Sequence, residues 1–286
     1  MKKLLIVLSC ALLLTGCKAA SNYEVKVSDN TKTLLTVDGV EISKQGYFEA
    51  LLDSYGADKI ISECLEKIAD KEVTDTKKVE ELVKERKKVY EDYLKTSLDE
   101  FAKQMGYKNE AEFIDDALRP DAKQEVLRGQ YISANFDALM SEYKVTRLKK
   151  IVVELESEAI AIINEAKDKA AFDSLMTKHK DKAQDLDIVT KNTSLDSNIL
   201  KKLDELYKLD KDGVVPTAVK QADGKFAVLY VYDTKKEDKQ EYVDALTVDT
   251  KLQGVIESYY LKKYNFSVYD QKLKETIKHF NTGYIE

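Results

Sequence analysis

The chain has 286 residues, 34% of them charged, and 46 basic against 52 acidic side chains give a formal net charge of −6. That acidic balance excludes a partner gripped through nucleic-acid phosphates, which calls for a basic face. Ten glycines and two prolines are few for a loop-rich enzyme and point to a chain built largely of helices.

Lys2 and Lys3 precede an apolar run that begins at Leu4 and closes on Leu14-Thr15-Gly16-Cys17. A basic start and an apolar stretch of about ten residues read as a secretory signal, too short to span a bilayer. A plain signal would end in small residues of the A-x-A kind. The small residue followed by cysteine resembles the bacterial lipobox, which implies a signal peptide over 1–16 and diacylation of Cys17 at the mature N-terminus. It also implies a lipid anchor on the extracytoplasmic face of the cell membrane; the alternative is an ordinary signal peptide with a chance cysteine. The lysine-rich, proline-poor composition has the style of a Gram-positive bacterium. Residues 17–33 form the lipidated N-terminus and a polar tether reaching a few nanometres at most. Losing Lys2 and Lys3 leaves 44 basic residues against 52 acidic, a net charge near −8. Cys10 leaves with the signal and Cys17 carries lipid. Cys64 then stands alone, so the mature chain has no intramolecular disulfide. Its place in IISECLEKIA is that of a small buried hydrophobe rather than a reactive thiol.

In LLTVDGVEIS, alternating apolar residues flank Asp38-Gly39 and predict a hairpin. Ser43 is positioned to cap a helix through YFEALLDSY that stops at Gly56, and a second helix runs from about Asp58 to Asp70. From Thr74 or Asp75, apolar residues at helical spacing from Val79 to Met105 predict one long amphipathic helix ending at Gly106. Asn109 with Glu112 reads as a capping box. Pro120 suits the first turn of a following helix that extends to about Tyr143.

The pattern changes at Val145. RLKKIVVEL reads as a strand, ESEAIAIINEAKDK and AAFDSLMTKHK as helices, and Asp187 to Thr190 as a short apolar piece. A helix from Ser197 to Leu209, a strand at Val215 to Val219, an Asp223-Gly224 turn and a closing strand in KFAVLYVYD complete a β-α-α-β-α-β-β order. Helical periodicity returns from Lys235. Tyr242, Leu246, Leu252, Val255, Ile256, Tyr259 and Tyr260 form one apolar stripe, and a last helix passes through Leu273 and Ile277.

These residues resemble the PrsA/SurA-type extracytoplasmic foldases. The carriers at the N-terminus are TVDGVEISKQGYFEALLDSYG, the charged helix starting at VTDTKKVEELVKE, and MGYKNEAEFIDDAL. In the middle, AFDSLMTKH is similar to a parvulin helix, and LYKLDKDGVVPTAVKQADGKFAVLYVYD to that module's closing segment. The resemblance implies a predominantly helical α+β fold. A helical chaperone domain over 34–143 would be completed by C-terminal helices over 236–286, with a parvulin-like module inserted over 144–235.

The module departs from the family where catalysis would sit. Active parvulins carry a histidine in the first strand, where Lys149-Lys150-Ile151-Val152 places Lys150. They carry a second after the last hairpin turn, where Gly224-Lys225-Phe226 places Phe226. The glycine-rich crater loop is replaced by AQDLDIVTKNTSLDS. No catalytic residue is therefore assigned, and His179 and His279, far apart in sequence, read as solvated surface groups. No phosphate loop, metal-ligand spacing or nucleophile turn occurs, so no cofactor and no metal are expected. Acidic neighbours such as Asp115-Asp116 read as solvated helix charge.

The 17 tyrosines offer apolar area with a polar end, useful against unfolded clients, with core packing as the other role. The sequence thus points to a membrane-anchored chaperone of unfolded exported proteins, its isomerase-like module impaired, and leaves the oligomeric state open, a homodimer being one option. An active prolyl isomerase with a divergent pocket and a solute-binding lipoprotein are the other readings. The second fits poorly with long helices at both ends and few hinge-forming glycines.

Overall fold

A computed structural model describes residues 29–285; the signal segment, Cys17 and the first part of the tether lie outside the described residues. The fold is α+β and predominantly helical. The chain divides into two compact units, one formed by the residues up to Arg128 together with Leu252–Glu286, the other by Gly129–Lys251. No helix among the described residues is long and apolar enough to cross a membrane.

The first unit opens with a hairpin of β1 (Thr33–Val37) and β2 (Val40–Ser43). Both turn residues, Asp38 (φ 48°) and Gly39 (φ 78°), lie in the left-handed region that a tight primed hairpin turn demands. Cross-strand partners are Leu35 with Ile42, Thr36 with Glu41, and Val37 with Val40. Strand alternation therefore gathers Leu35, Val37, Val40 and Ile42 on one face and Thr36 and Glu41 on the other.

Ser43 caps α1 (Lys44–Leu51), its Oγ accepting from Gly46 N at 3.1 Å. The helix does not stop at Gly56. It widens into a π-turn over Leu52–Gly56 and continues as α2 (Ala57–Glu72). Gly56 has φ −63°, ordinary helical backbone, whereas a glycine stop needs a left-handed residue.

The long amphipathic helix expected from Asp75 to Gly106 is in fact two. Asp75 Oδ1 accepts from Lys78 N at 3.0 Å and starts α3 (Thr76–Leu94), which ends at left-handed Lys95. Ser97 then caps α4 (Leu98–Gln104). The break lets the chain fold back so that Phe101 meets Tyr90 with ring centroids 5.4 Å apart. Eleven residues of continuous helix would separate them by about 16 Å along the axis. Phe113 completes the cluster, 5.8 Å from Tyr90 and 5.6 Å from Phe101, both edge to face, and aromatic pairs in this geometry contribute beyond their area.

Asn109 Oδ1 accepts from Glu112 N at 2.9 Å at the start of α5 (Glu110–Phe113). The Glu112 carboxylate returns to Lys108 N at 2.6 Å, one residue earlier than a standard capping box. A second π-turn over Ile114–Leu118 leads to α6 (Arg119–Ala134), with Pro120 in its first turn. Val79, Leu82 and Val83 of α3 pack on Ala122 and Val126 of α6, and Arg86 bridges Asp121 at 3.0 Å and Glu125 at 2.7 Å. The helix expected to reach Tyr143 breaks at Asn135, whose side-chain amide donates to Tyr131 O at 2.8 Å, before α7 (Phe136–Glu142).

In the second unit, β3 (Thr146–Val153), β4 (Ala183–Val189), β5 (Gly213–Val214), β6 (Val219–Lys220) and β7 (Phe226–Tyr232) form one antiparallel sheet of order β4-β3-β7-β5, with β6 also on β7. The single strand expected over Val215 to Val219 is instead β5 and β6, separated by a segment containing Pro216, which has no N–H to donate to a ladder. Between β3 and β4 lie α8 (Glu156–Glu165) and α9 (Lys169–Lys178), and α10 (Ser197–Leu206) follows β4. Leu148, Ala227, Leu229 and Val231 pack against Ile199, Leu203 and Leu206 of α10. The opposite face sets Ile151, Val153, Val228 and Tyr230 against Ala159, Ile162, Phe172 and Leu175 of α8 and α9.

Helix α11 (Lys239–Thr247) belongs to the second unit and buries Tyr242, Val243 and Leu246; α12 (Thr250–Lys263) begins at the boundary, and α13 (Gln271–Phe280) lies in the first unit. Within the expected apolar stripe, Leu252, Ile256 and Tyr260 are buried while Val255 and Tyr259 face outward. In the first unit, Glu72 of α2 accepts from Tyr264 Oη at 2.7 Å and pairs with Lys263, tying the C-terminal segment to the N-terminal helices.

Candidate functional site

Residues Lys150 and Phe226, which stand where the parvulin histidines would, are not brought together. Lys150 is half-buried on β3 between Leu148 and Val152, on the face covered by α10, and its partner on β7 is Leu229. Phe226 pairs with Val153 and packs with the cluster on the α8/α9 face. The β7 residue sharing Lys150's face nearest that turn is Ala227, paired with Val152. Apart from Lys150 and Thr146 at the start of β3, the α10 face of β3 and β7 is aliphatic. The hydroxyl of that face, on Thr146, is buried opposite Val189 at the far end of β3 from Val152 and Ala227, and no thiol or imidazole of these strands stands there.

The expected crater segment is also different in kind. Its first seven residues, Ala183–Val189, form β4, with Asp187 in the left-handed region (φ 56°) and its N–H donating to Asp185 Oδ1 at 3.0 Å. The remainder is pinned. Thr190 Oγ1 donates to Asp249 at 3.1 Å, and Asn192 Nδ2 donates to both Asp249 oxygens at 2.9 and 3.0 Å. Asp196 caps α10 and also accepts from Ala222 N at 2.8 Å. This bond, helped by the cap, holds its carboxyl below the usual range.

The main polar constellation of the sheet was not foreseen from the sequence. Arg147, at the start of β3, sits with Nε 3.1 Å from Asp187 and Nη1 3.3 Å from Asp233, and also pairs with Glu241. Its guanidinium lies 5.2 Å from the ring centre of Tyr242 and 5.8 Å from that of Tyr232. Burial opposes its charge, but the Glu241 bond and neighbouring charges prevail and raise its pKa. Tyr242 Oη donates to Asp233 Oδ2 at 2.8 Å, and Tyr232 Oη to Asp185 Oδ1 at 2.9 Å; burial and these carboxylates push both phenols far up.

Buried Lys149 bonds Asp173, whose carboxyl is lowered chiefly by that bond. Cations and hydroxyls here are all spent on carboxylates, so the network clamps the strand ends together rather than offering an acid or base. Its partners lie up to 94 residues apart, beyond any local motif.

Of the histidines, His179 closes α9 in the second unit and His279 lies in α13 of the first. Cys64 is a free, half-buried thiol, and burial pushes its pKa up. No cluster of three or more His, Cys, Asp or Glu that could hold a metal occurs among the described residues. The tyrosines split between roles: Tyr90, Tyr143, Tyr230, Tyr242 and Tyr260 are buried, while Tyr47, Tyr55, Tyr93, Tyr259 and Tyr269 are exposed, all five of the exposed ones in the first unit.

No protein-family model matches the chain, and no curated protein matches its sequence. Among solved structures, the chain is similar to the peptidylprolyl isomerase PrsA of Bacillus cereus, with 18% identity and a TM-score of 0.44 over 88% of this chain and 99% of that one. It is similar to PrsA of Bacillus subtilis, with 20% identity and a TM-score of 0.42 over 87% and 99%. A SurA-like chaperone structure from Campylobacter jejuni shows 20% identity and a TM-score of 0.25 over 84% and 99%.

Proposed function

We propose that the chain is a membrane-anchored extracytoplasmic chaperone of the foldase class that assists exported proteins, with a parvulin-like module that binds but does not isomerise. The observation that carries the loss of catalysis is the α10 face of β3 and β7, aliphatic but for Lys150 and the buried Thr146 at the start of β3, with Phe226 on the other side of the sheet. Lowering a barrier of about 18–20 kcal/mol for X-Pro rotation needs polar groups placed on the twisted amide. On the opposite face, Arg147, Lys149 and Tyr232 are bonded to carboxylates. The chaperone reading is supported by the sequence resemblance and by exposed aromatic side chains such as Tyr93, Tyr259 and Tyr269 on the first unit, surfaces suited to weak contact with many clients. Anchoring is supported by the Gly16-Cys17 motif.

The mature soluble chain, residues 21–286, is to be assayed for cis-trans isomerisation of a proline peptide and, in the same preparation, for delay of aggregation of an unfolding protein. Delay without isomerisation is the expected result. Isomerase activity lost on deleting the middle module would establish an enzyme with a divergent pocket, and failure of both assays would end the foldase reading.

A further inference from the structure

The hairpin has a sharply two-sided character that no described residue of the first unit uses. Its aliphatic face is uncovered, with Val37 and Val40 each 66% exposed, Leu35 44% and Ile42 38%. The reverse face is polar, with Thr36 opposite Glu41, and Thr33 Oγ1 donates to Glu41 across the strands at 2.8 Å. Directly after Ser43, α1 and its π-turn expose Tyr47, Phe48, Leu51 and Tyr55, spaced on one side of a helix. Large uncovered apolar patches on a soluble unit mark interaction surfaces. Aliphatic tips flanked by tyrosine and phenylalanine have the composition of a water–hydrocarbon boundary.

Covalent geometry and charge name the occupant. Thr33 follows Cys17 by sixteen residues, which span at most about 55 Å when fully extended. A lipid at Cys17 therefore keeps this face within reach of a bilayer. Lys18 through Phe48 carries four lysines and four acids, so the segment is neutral on a chain that is otherwise strongly acidic. It is the part least repelled by anionic headgroups.

We propose that the Leu35/Val37/Val40/Ile42 face of the hairpin, with Phe48 beside it, seats in the bilayer interface next to the anchor and orients the first unit on the membrane. The inference rests on acylation of Cys17. Acyl chains hold the protein at the surface but let it swivel, and a shallow second contact removes that freedom.

The chain has no tryptophan, so Phe48→Trp introduces a single reporter, and Leu155→Trp, an exposed site in the second unit, serves as control. Full-length acylated protein with either change is placed on phosphatidylcholine/phosphatidylglycerol vesicles bearing brominated acyl chains. The expected result is indole emission from the Phe48→Trp protein that shifts to the blue and is quenched several-fold more than that of the Leu155→Trp control. Adding Val37→Thr and Val40→Thr, which keep β-branching and hence the strand, should remove most of the excess quenching while the protein still floats with the vesicles.

Flotation with equal or no quenching at the two sites overturns the seating and leaves the anchor standing. Failure to float overturns the acylation reading and the seating with it. A blue shift in detergent without vesicles that grows with protein concentration would assign the face to a second copy and overturn the lipid proposal.

Discussion

Among the described residues, two antiparallel sheets differ in signature and in fate: the hairpin strands alternate, whereas β7, Phe226–Tyr232, is apolar at every position. In the hairpin of β1 and β2 the apolar face lies open, whereas β3 and β7 are covered on both sides, by α10 on one and by α8 and α9 on the other. An unbroken apolar run signals burial on both faces, whereas alternation says only that a strand forms and which residues share a face. It does not say what covers that face, which depends on helices supplied from elsewhere in the chain. Among the described residues none covers the hairpin face.

The contrast is sharpest in stability. Leu229 is fully buried, so Leu229→Ala should cost about 2–5 kcal/mol and visibly lower the urea midpoint of the second unit. Val37→Ala should change stability by no more than about 0.5 kcal/mol; a large loss there would mean that the hairpin face is covered within the chain.

Next in size is the clamp. Arg147→Met leaves Asp187, Asp233 and Glu241 facing one another without their cation, and a cost of about 2–3 kcal/mol is expected, at or below the range for broken buried pairs because Arg147 keeps some contact with solvent. The same change should leave any aggregation-delaying activity intact if the network is structural.

Smaller is the effect of Gly224→Ala in the β6–β7 turn. At φ +88° it carries strain of about 1–2 kcal/mol, read as a lowered melting temperature of the second unit. Gly39→Ala at φ +78° meets the same strain, yet it should be read only in local hydrogen exchange of the hairpin amides, since little else is built on that hairpin.

The last expectation is a slope. Burial raises the pKa of Glu257, which accepts from Tyr284 Oη and feels Arg128. The folded state therefore holds the proton above pH 4.5 where the unfolded chain has released it, and this group's contribution to stability is greatest at low pH and falls as pH rises through its folded pKa. Glu257→Gln should flatten that decline for the first unit in melts taken over a pH series.

Local chemistry was readable from the sequence. The Ser43 and Asn109 caps and the Asp38-Gly39 and Asp223-Gly224 turns are settled by a few neighbouring residues. The breaks at Lys95 and Asn135 were not, because neither glycine nor proline marks them and each is decided by packing; Tyr90, Phe101 and Phe113 gather only if α3 ends. Gly56 misled in the other direction, since a glycine also fits ordinary helix. At the candidate site, sequence could say that histidines are missing. It could not say that Lys150 and Phe226 face opposite ways, which follows from strand register, nor that Arg147 would collect carboxylates from three later segments.

The position of β7 has a further consequence for how the molecule is made. Last of the module's strands in the chain, it pairs with β3, β5 and β6 at once, so a chain emerging N-terminus first holds β3 for some eighty residues with one long edge unsatisfied. The first unit likewise lacks Leu252–Glu286 until that segment has been made. Completion of both waits on segments made after the ones they pack on, and long-range pairing of this kind is slow and exposes sticky edges while it waits. The protein therefore passes through the same vulnerable, half-assembled condition as any client it is proposed to protect.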